Sequence, residues 1–206
     1  MHFVKIVTLL TLIMSLPSQA STLKVDSKRT LNISGGVDSG IIFEAQRILD
    51  FADKSKDPIY LVINSPGGSV VAGLQVITTM RIAQSRGVTI KCIVPMMAAS
   101  MAFQIFAECD ERYAFDNSLL LWHPIRVTVN GVLTPKRATE LAKMMALYEK
   151  HMVDVLLAKL EIDPEVFYYH YYSETLHLGV GLKEIAPDFL TLIQDVEGIK
   201  IPFSMR

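Results

Sequence analysis

The sequence predicts an α/β fold in which a parallel sheet is layered with helices. Residues 59–63, Ile59-Tyr60-Leu61-Val62-Ile63, make a short continuous apolar run of the kind found in strands buried on both faces. Ahead of it, over residues 39–52, Ile41, Ile42, Ala45, Ile48, Leu49 and Ala52 fall at three- and four-residue spacing, which puts them on one face of a helix. The order of strand and helix then repeats along the chain, and that alternation argues for parallel strands with helical crossovers.

Taken in order, Thr30-Leu31-Asn32-Ile33-Ser34 is the first strand, closed by the Gly35-Gly36 turn. Asp57-Pro58 ends the helix of residues 39–52, and the apolar strand of residues 59–63 follows. A glycine-rich turn leads into a helix over residues 70–86. The pattern recurs with a strand at residues 88–94, a turn at 95–99 and a helix at 100–108. Leu119-Leu120-Leu121-Trp122 supplies a third apolar strand. Residues 135–160 form a long helix, with Thr134 as its cap and Pro135 in its first turn. Its apolar positions include Leu141, Met144, Met145, Tyr148, Met152 and Leu156, a stripe that suits either another subunit or the chain's own core. In such sheets ligands bind where strands hand over to helices, so the active ends are the strand C-termini.

A chain of 206 residues, 50% of them apolar, can bury one substantial core and is short for two separate domains. The formal charge of −1 and the absence of a Lys/Arg cluster exclude the electrostatic footprint of a nucleic-acid binder. Residues 1–20 read as a signal peptide. Lys5 lies in a positive n-region, residues 6–16 are mostly apolar, and Pro17-Ser18-Gln19-Ala20 ends on small residues, with cleavage expected after Ala20. The apolar run is shorter than the roughly 20 residues a bilayer-spanning helix needs. A buried helix or an uncleaved anchor is the alternative. The expected organisation is therefore a leader at 1–20, a single domain at 21–206, and a periplasmic or secreted location. Cys92 and Cys109 are the only cysteines. They either pair in an oxidising compartment or sit as two buried thiols, and neither has a partner at metal-ligand spacing.

Three local features could carry chemistry. Asn64-Ser65-Pro66-Gly67-Gly68-Ser69 lies between a strand and a helix, where glycines let backbone N–H groups approach a ligand; it reads equally as a tight turn. Met96-Met97-Ala98-Ala99-Ser100-Met101-Ala102 also joins strand to helix. Ser100 is there either a simple N-cap or a nucleophile whose oxyanion is stabilised by neighbouring N–H groups. His123 ends an apolar strand before Pro124, and a serine hydroxyl needs such a base to remove its proton. His2 falls in the leader, and His151, His170 and His177 are less well placed.

With these residues together, the sequence resembles the proteolytic subunit of the Clp protease, from about Leu31 to Leu192. Ile63-Asn64-Ser65-Pro66-Gly67-Gly68-Ser69-Val70 is similar to that family's glycine-rich oxyanion segment, Ala98-Ala99-Ser100-Met101 to its nucleophile motif, and His123-Pro124, with Asn117-Ser118 ahead of it, to its histidine motif. The resemblance implies the Clp/crotonase-like layered fold, with the long helix projecting as a handle for rings of six or seven. It implies Ser100 as nucleophile, His123 as general base, and the N–H groups of Gly68 and Met101 as the oxyanion hole. The family's third member is an aspartate, and its position in this chain is Glu174; Ser-His-Glu triads are accepted variants. The chain also departs from the family in a shorter segment at Cys109-Asp110-Glu111-Arg112 and in Leu119, where the family has an arginine.

Family members work in the cytosol with an ATP-driven unfoldase, whereas an exported protein has no ATP supply. The expectation is thus an ATP-independent serine endopeptidase acting on peptides or unfolded segments, as a homo-oligomeric ring, with no ATPase partner, cofactor or metal. Three other classes stay open: a signal-peptide peptidase of the same fold, which would pair serine with lysine; a non-catalytic peptide-binding subunit, for which Glu174 speaks; and an acyl-CoA enzyme of crotonase type.

Overall fold

The computed structural model describes residues 21–201, so the leader expected at 1–20 lies outside the described residues. The main sheet has five strands: β2 (Thr30–Ser34), β3 (Ile59–Asn64), β4 (Ile90–Val94), β6 (Glu111–Ala114) and β9 (Thr191–Leu192), in that spatial order. All four pairings are parallel, with Leu31 opposite Leu61 and Leu61 opposite Cys92. A ribbon of β1 (Thr22–Lys24) and β10 (Asp195–Glu197) lies apart from it, as does a smaller sheet of β5 (Met97–Ala99), β7 (Leu119–Leu121) and β8 (His177–Leu178).

The apolar run at 59–63 is explained by burial on both faces. Leu61 and Ile63 of β3, and Cys92 and Val94 of β4, face the main core beneath α1 (Ile42–Lys54) and α2 (Val70–Ser85). Val62 and Ile93, pointing the other way, pack with Val25, Ile193 and Val196 under the terminal ribbon. A strand with no solvent face needs no polar alternation. On the main-core side lies α3 (Met101–Ala107), every residue of which is buried. Phe103 stacks on Trp122 at 5.2 Å between centroids, and both Phe103 and Phe106 meet Phe189.

Two expectations are corrected. Residues 97–99, read from sequence as turn, form β5, because buried Ala98 and Ala99 pair in parallel with Leu120 and Leu121. The strand expected at 119–122 as a third member of the parallel sheet is Leu119–Leu121 and belongs to this smaller sheet; the strand paired with β4 is β6, whose Glu111-Arg112-Tyr113-Ala114 hides its strand character behind charge. The long helix is as expected: α4 (Pro135–Leu160) starts where the Thr134 hydroxyl accepts from the N–H of Arg137. Only Val153, Leu156 and Leu160 in its last third are buried, so its first half, with Met144 and Leu147 exposed, stands away from the core. Tyr171 of α5 (Pro164–Ser173) is buried and donates to Glu149, while Tyr168, Tyr169 and Tyr172 are exposed.

The cysteines are joined. Cys92 of β4 and Cys109, just past α3, form a disulfide with Cα atoms 6.0 Å apart, and both residues have 0% exposure. The bond fastens the far end of α3 to the centre of the main sheet.

Candidate active site

The site grows from two strand-to-helix turns laid against each other. Beyond β5, Ser100 has φ 56° and ψ −124°, a left-handed conformation that costs a non-glycine residue on the order of 1–3 kcal/mol. Neighbouring backbone holds it there: the Ser100 N–H donates to the carbonyl of Leu121 at 2.9 Å, and the Ala99 N–H to that of Ser65 at 3.0 Å. The Ser100 side chain makes no cap bond to α3, so of the two readings of this serine the plain N-cap falls away. The hydroxyl has no hydrogen-bond partner among the described residues.

The second turn, after β3, is fitted against the first. Gly67 has φ 94°, and a Cβ there would lie 2.6 Å from both the Ala99 carbonyl oxygen and the Ser100 Cβ. Only glycine allows this approach. Gly68, at φ 152°, sits against Val37, whose N–H donates to the Gly67 carbonyl and whose carbonyl accepts from Ser69. The N–H groups of Gly68 and Met101 find no acceptor among the described residues. They border the same cleft as Ser100, a space of about 210 Å³ whose walls also include Trp122, His123 and Arg126.

His123 lies two residues past the end of β7, so the bond between Ser100 and Leu121 ties nucleophile candidate and base candidate to one strand end. Its Nδ1 lies 2.6 Å from the Pro124 carbonyl oxygen. A carbonyl only accepts, so this contact places the proton on Nδ1 and leaves the Nε2 lone pair available, the tautomer a general base requires. No hydrogen bond joins Ser100 to His123, or His123 to Glu174, among the described residues. Glu174 is instead ion-paired with Arg126. The hydrogen bond from Arg126 holds its carboxyl below the usual carboxylate range; desolvation opposes this, and the charge of Arg126 and then the nearby His123 reinforce it.

The structure thus brings Ser100, His123, Gly68 and Met101 to one cleft and leaves Glu174 exposed at its rim, one residue removed through Arg126. Sequence reasoning missed Arg126, which sits among Ile125 and Val127 with nothing local to mark it. Ser118, noted in the sequence with Asn117 ahead of the histidine, has a buried hydroxyl that donates to the Val94 carbonyl at 2.6 Å and accepts from the N–H of Phe115, pinning the segment ahead of His123. Beneath the cleft wall, Trp122 stacks on His177 at 4.7 Å, and His177 meets His170 at 4.6 Å. Burial first, then His170, pushes His177 down to about 4, and burial lowers His170 as well.

A layered parallel sheet with a glycine-lined cleft at its strand C-termini defines a protein of the Clp/crotonase-like class. Comparison with known proteins narrows this. The Clp protease family matches residues 18–161. The ATP-dependent Clp protease proteolytic subunit 2 of Prochlorococcus marinus (strain NATL2A) is 34% identical over 168 residues, 76% of this chain and 82% of that protein. Subunit 3 from Synechococcus sp. (strain CC9902) is 34% identical over 164 residues, 74% of this chain and 80% of its own length. The chain belongs to the Clp protease family, a family of peptidases.

Proposed function

We propose that the protein is a serine endopeptidase in which Ser100 attacks the peptide carbonyl, His123 Nε2 takes and returns the proton, and water hydrolyses the acyl-enzyme. The N–H groups of Gly68 and Met101, which lack acceptors, receive the oxyanion. Glu174 is the orienting acid once it leaves Arg126. The observation that carries this reading is the left-handed Ser100, held beside Gly67 in a conformation that serves no cap. Such strain persists where surrounding structure enforces it, and it concentrates at functional turns.

The substrates are peptides or unfolded segments, a reading supported by the small size of the cleft, about 210 Å³. The exposed half of α4, with Leu147 70% accessible, supports assembly into a homo-oligomeric ring. The buried Cys92–Cys109 disulfide supports a periplasmic or secreted location, and with it action without ATP or an unfoldase partner. The test is hydrolysis of unstructured fluorogenic peptides by the purified chain with no nucleotide present. Turnover that disappears in Ser100→Ala supports the proposal; turnover unchanged in that variant overturns it.

Two observations favour a second reading, a peptide-binding subunit with little turnover: Glu174 is engaged by Arg126, and among the described residues no hydrogen bond links Ser100 to His123. A Ser-Lys peptidase finds less support, because no lysine lines the cleft among the described residues.

A further inference from the structure

Arg126 stands at the rim of the cleft that holds Ser100, and it is the one fixed charge among the described residues lining it. The adjoining walls are apolar, formed by Val70, Met101, Trp122 and Met152. Its side chain is 64% exposed and its only ionic partner among the described residues is Glu174, itself 38% exposed. An arginine with a purely structural task is more usually buried among carbonyls, as Arg29 is, bonded to Phe51, Asp57 and Pro58. The Arg126 guanidinium keeps donors to spare and faces the space a substrate must enter.

We propose that Arg126 selects peptides bearing a carboxylate close to the scissile bond, and that binding this carboxylate releases Glu174 to orient His123. The proposal rests on the peptidase reading above for its second half only. The Arg126–Glu174 pair is exposed and weak, so a peptide carboxylate that meets the guanidinium bidentately, held there by the rest of the bound peptide, displaces Glu174 with a net gain. The exchange changes the site's chemistry nonetheless. With Glu174 held away, His123 is oriented by the Pro124 carbonyl alone; a neutral acceptor stabilises an imidazolium less than a carboxylate does. Arg126 therefore couples recognition of substrate to assembly of the triad. The carboxylate can be an Asp or Glu side chain or the peptide's free C-terminus.

The test uses the full chain and four otherwise identical fluorescent peptides, carrying Glu or Gln at one position and a free or amidated C-terminus. Binding to the Ser100→Ala protein, read by anisotropy, requires no turnover. The expected result is about tenfold tighter binding of the carboxylate-bearing peptides, weakened by salt and levelled in Ser100→Ala/Arg126→Gln. Whether the gain follows Glu or the free terminus identifies the source. In the wild-type active site, Arg126→Gln should raise kcat for the neutral peptide, because Glu174 is then free; a merely structural arginine would lower it. Equal binding of all four peptides to folded protein, or a preference that survives Arg126→Gln, overturns the proposal. Carboxylate-dependent binding without hydrolysis would sustain Arg126 and sink the peptidase reading, whereas hydrolysis indifferent to carboxylates would do the reverse.

Discussion

Removing the Cys92–Cys109 bond should cost more than its surroundings suggest, and by an amount set mainly by the unfolded chain. The two residues are 17 apart in sequence, and closing a loop of that size removes denatured-state entropy worth about 3 kcal/mol. For a chain of this size that corresponds to a fall in Tm of about 6–12 °C. Reduction of the wild type is the cleanest perturbation because it alters no side-chain volume. Both sulfurs belong to residues with 0% exposure, so a reductant should reach them only through unfolding. Thiol release in dithiothreitol should then rise with urea in step with the unfolding curve, and refolded reduced protein should melt at the lower temperature. The double variant Cys92→Ala/Cys109→Ala should show the same loss plus a smaller packing cost. Because the bond anchors the end of α3 whose beginning carries Ser100, the reduced protein should also lose part of its activity. Rapid thiol release from folded protein, or equal stability of oxidised and reduced forms, would refute this reasoning and withdraw the main support for an oxidising compartment.

His177, 8% exposed, stacked on Trp122 and meeting His170 edge-on, should make the fold sensitive to acid. Its folded value near 4 lies below the model-peptide value of 6.5, so the unfolded chain binds the proton first. Stability should be complete above about 6.5 and should decline by up to roughly 3 kcal/mol as pH falls to 4, with urea melts in His177→Phe showing a flatter profile. Gly67→Ala should abolish hydrolysis and cost several kcal/mol, on the order of 2–4, since its Cβ meets Ser100 and its φ of 94° is left-handed; wild-type activity in a folded variant would contradict the fitted-turn account. Leu156→Ala, at the buried root of α4, should lower stability by about 2–5 kcal/mol. Leu147→Ala, on the exposed half, should leave protomer stability unchanged and weaken assembly by analytical ultracentrifugation; unchanged assembly would remove that face from the interface.

Much of this fold was legible because its strands are buried on both faces. Leu61, Val62 and Ile63 could be read as strand without knowing their partners, and the capped start of α4 at Thr134 was visible in two residues. Strands that survive on pairing alone were not: β6 is Glu111-Arg112-Tyr113-Ala114, and β8 and β9 have two residues each. Their backbone bonds come from neighbours supplied by distant parts of the chain, which no local pattern records. The same distinction holds at the cleft. Ser100, Gly68 and His123 stand beside strand ends and small residues, so their types and order point to chemistry. Arg126 gains its meaning only from Glu174, 48 positions further along, and the disulfide only from the packing of α3 against β4.

The central claim, an activated serine at position 100, is tested most directly by labelling the folded protein with a fluorophosphonate probe. Ser100→Ala, His123→Ala and Glu174→Ala serve as companions. The account predicts a single adduct on Ser100, lost in the first two variants and weakened in the third. A folded wild-type protein that stays unlabelled would contradict it and leave the peptide-binding subunit in its place.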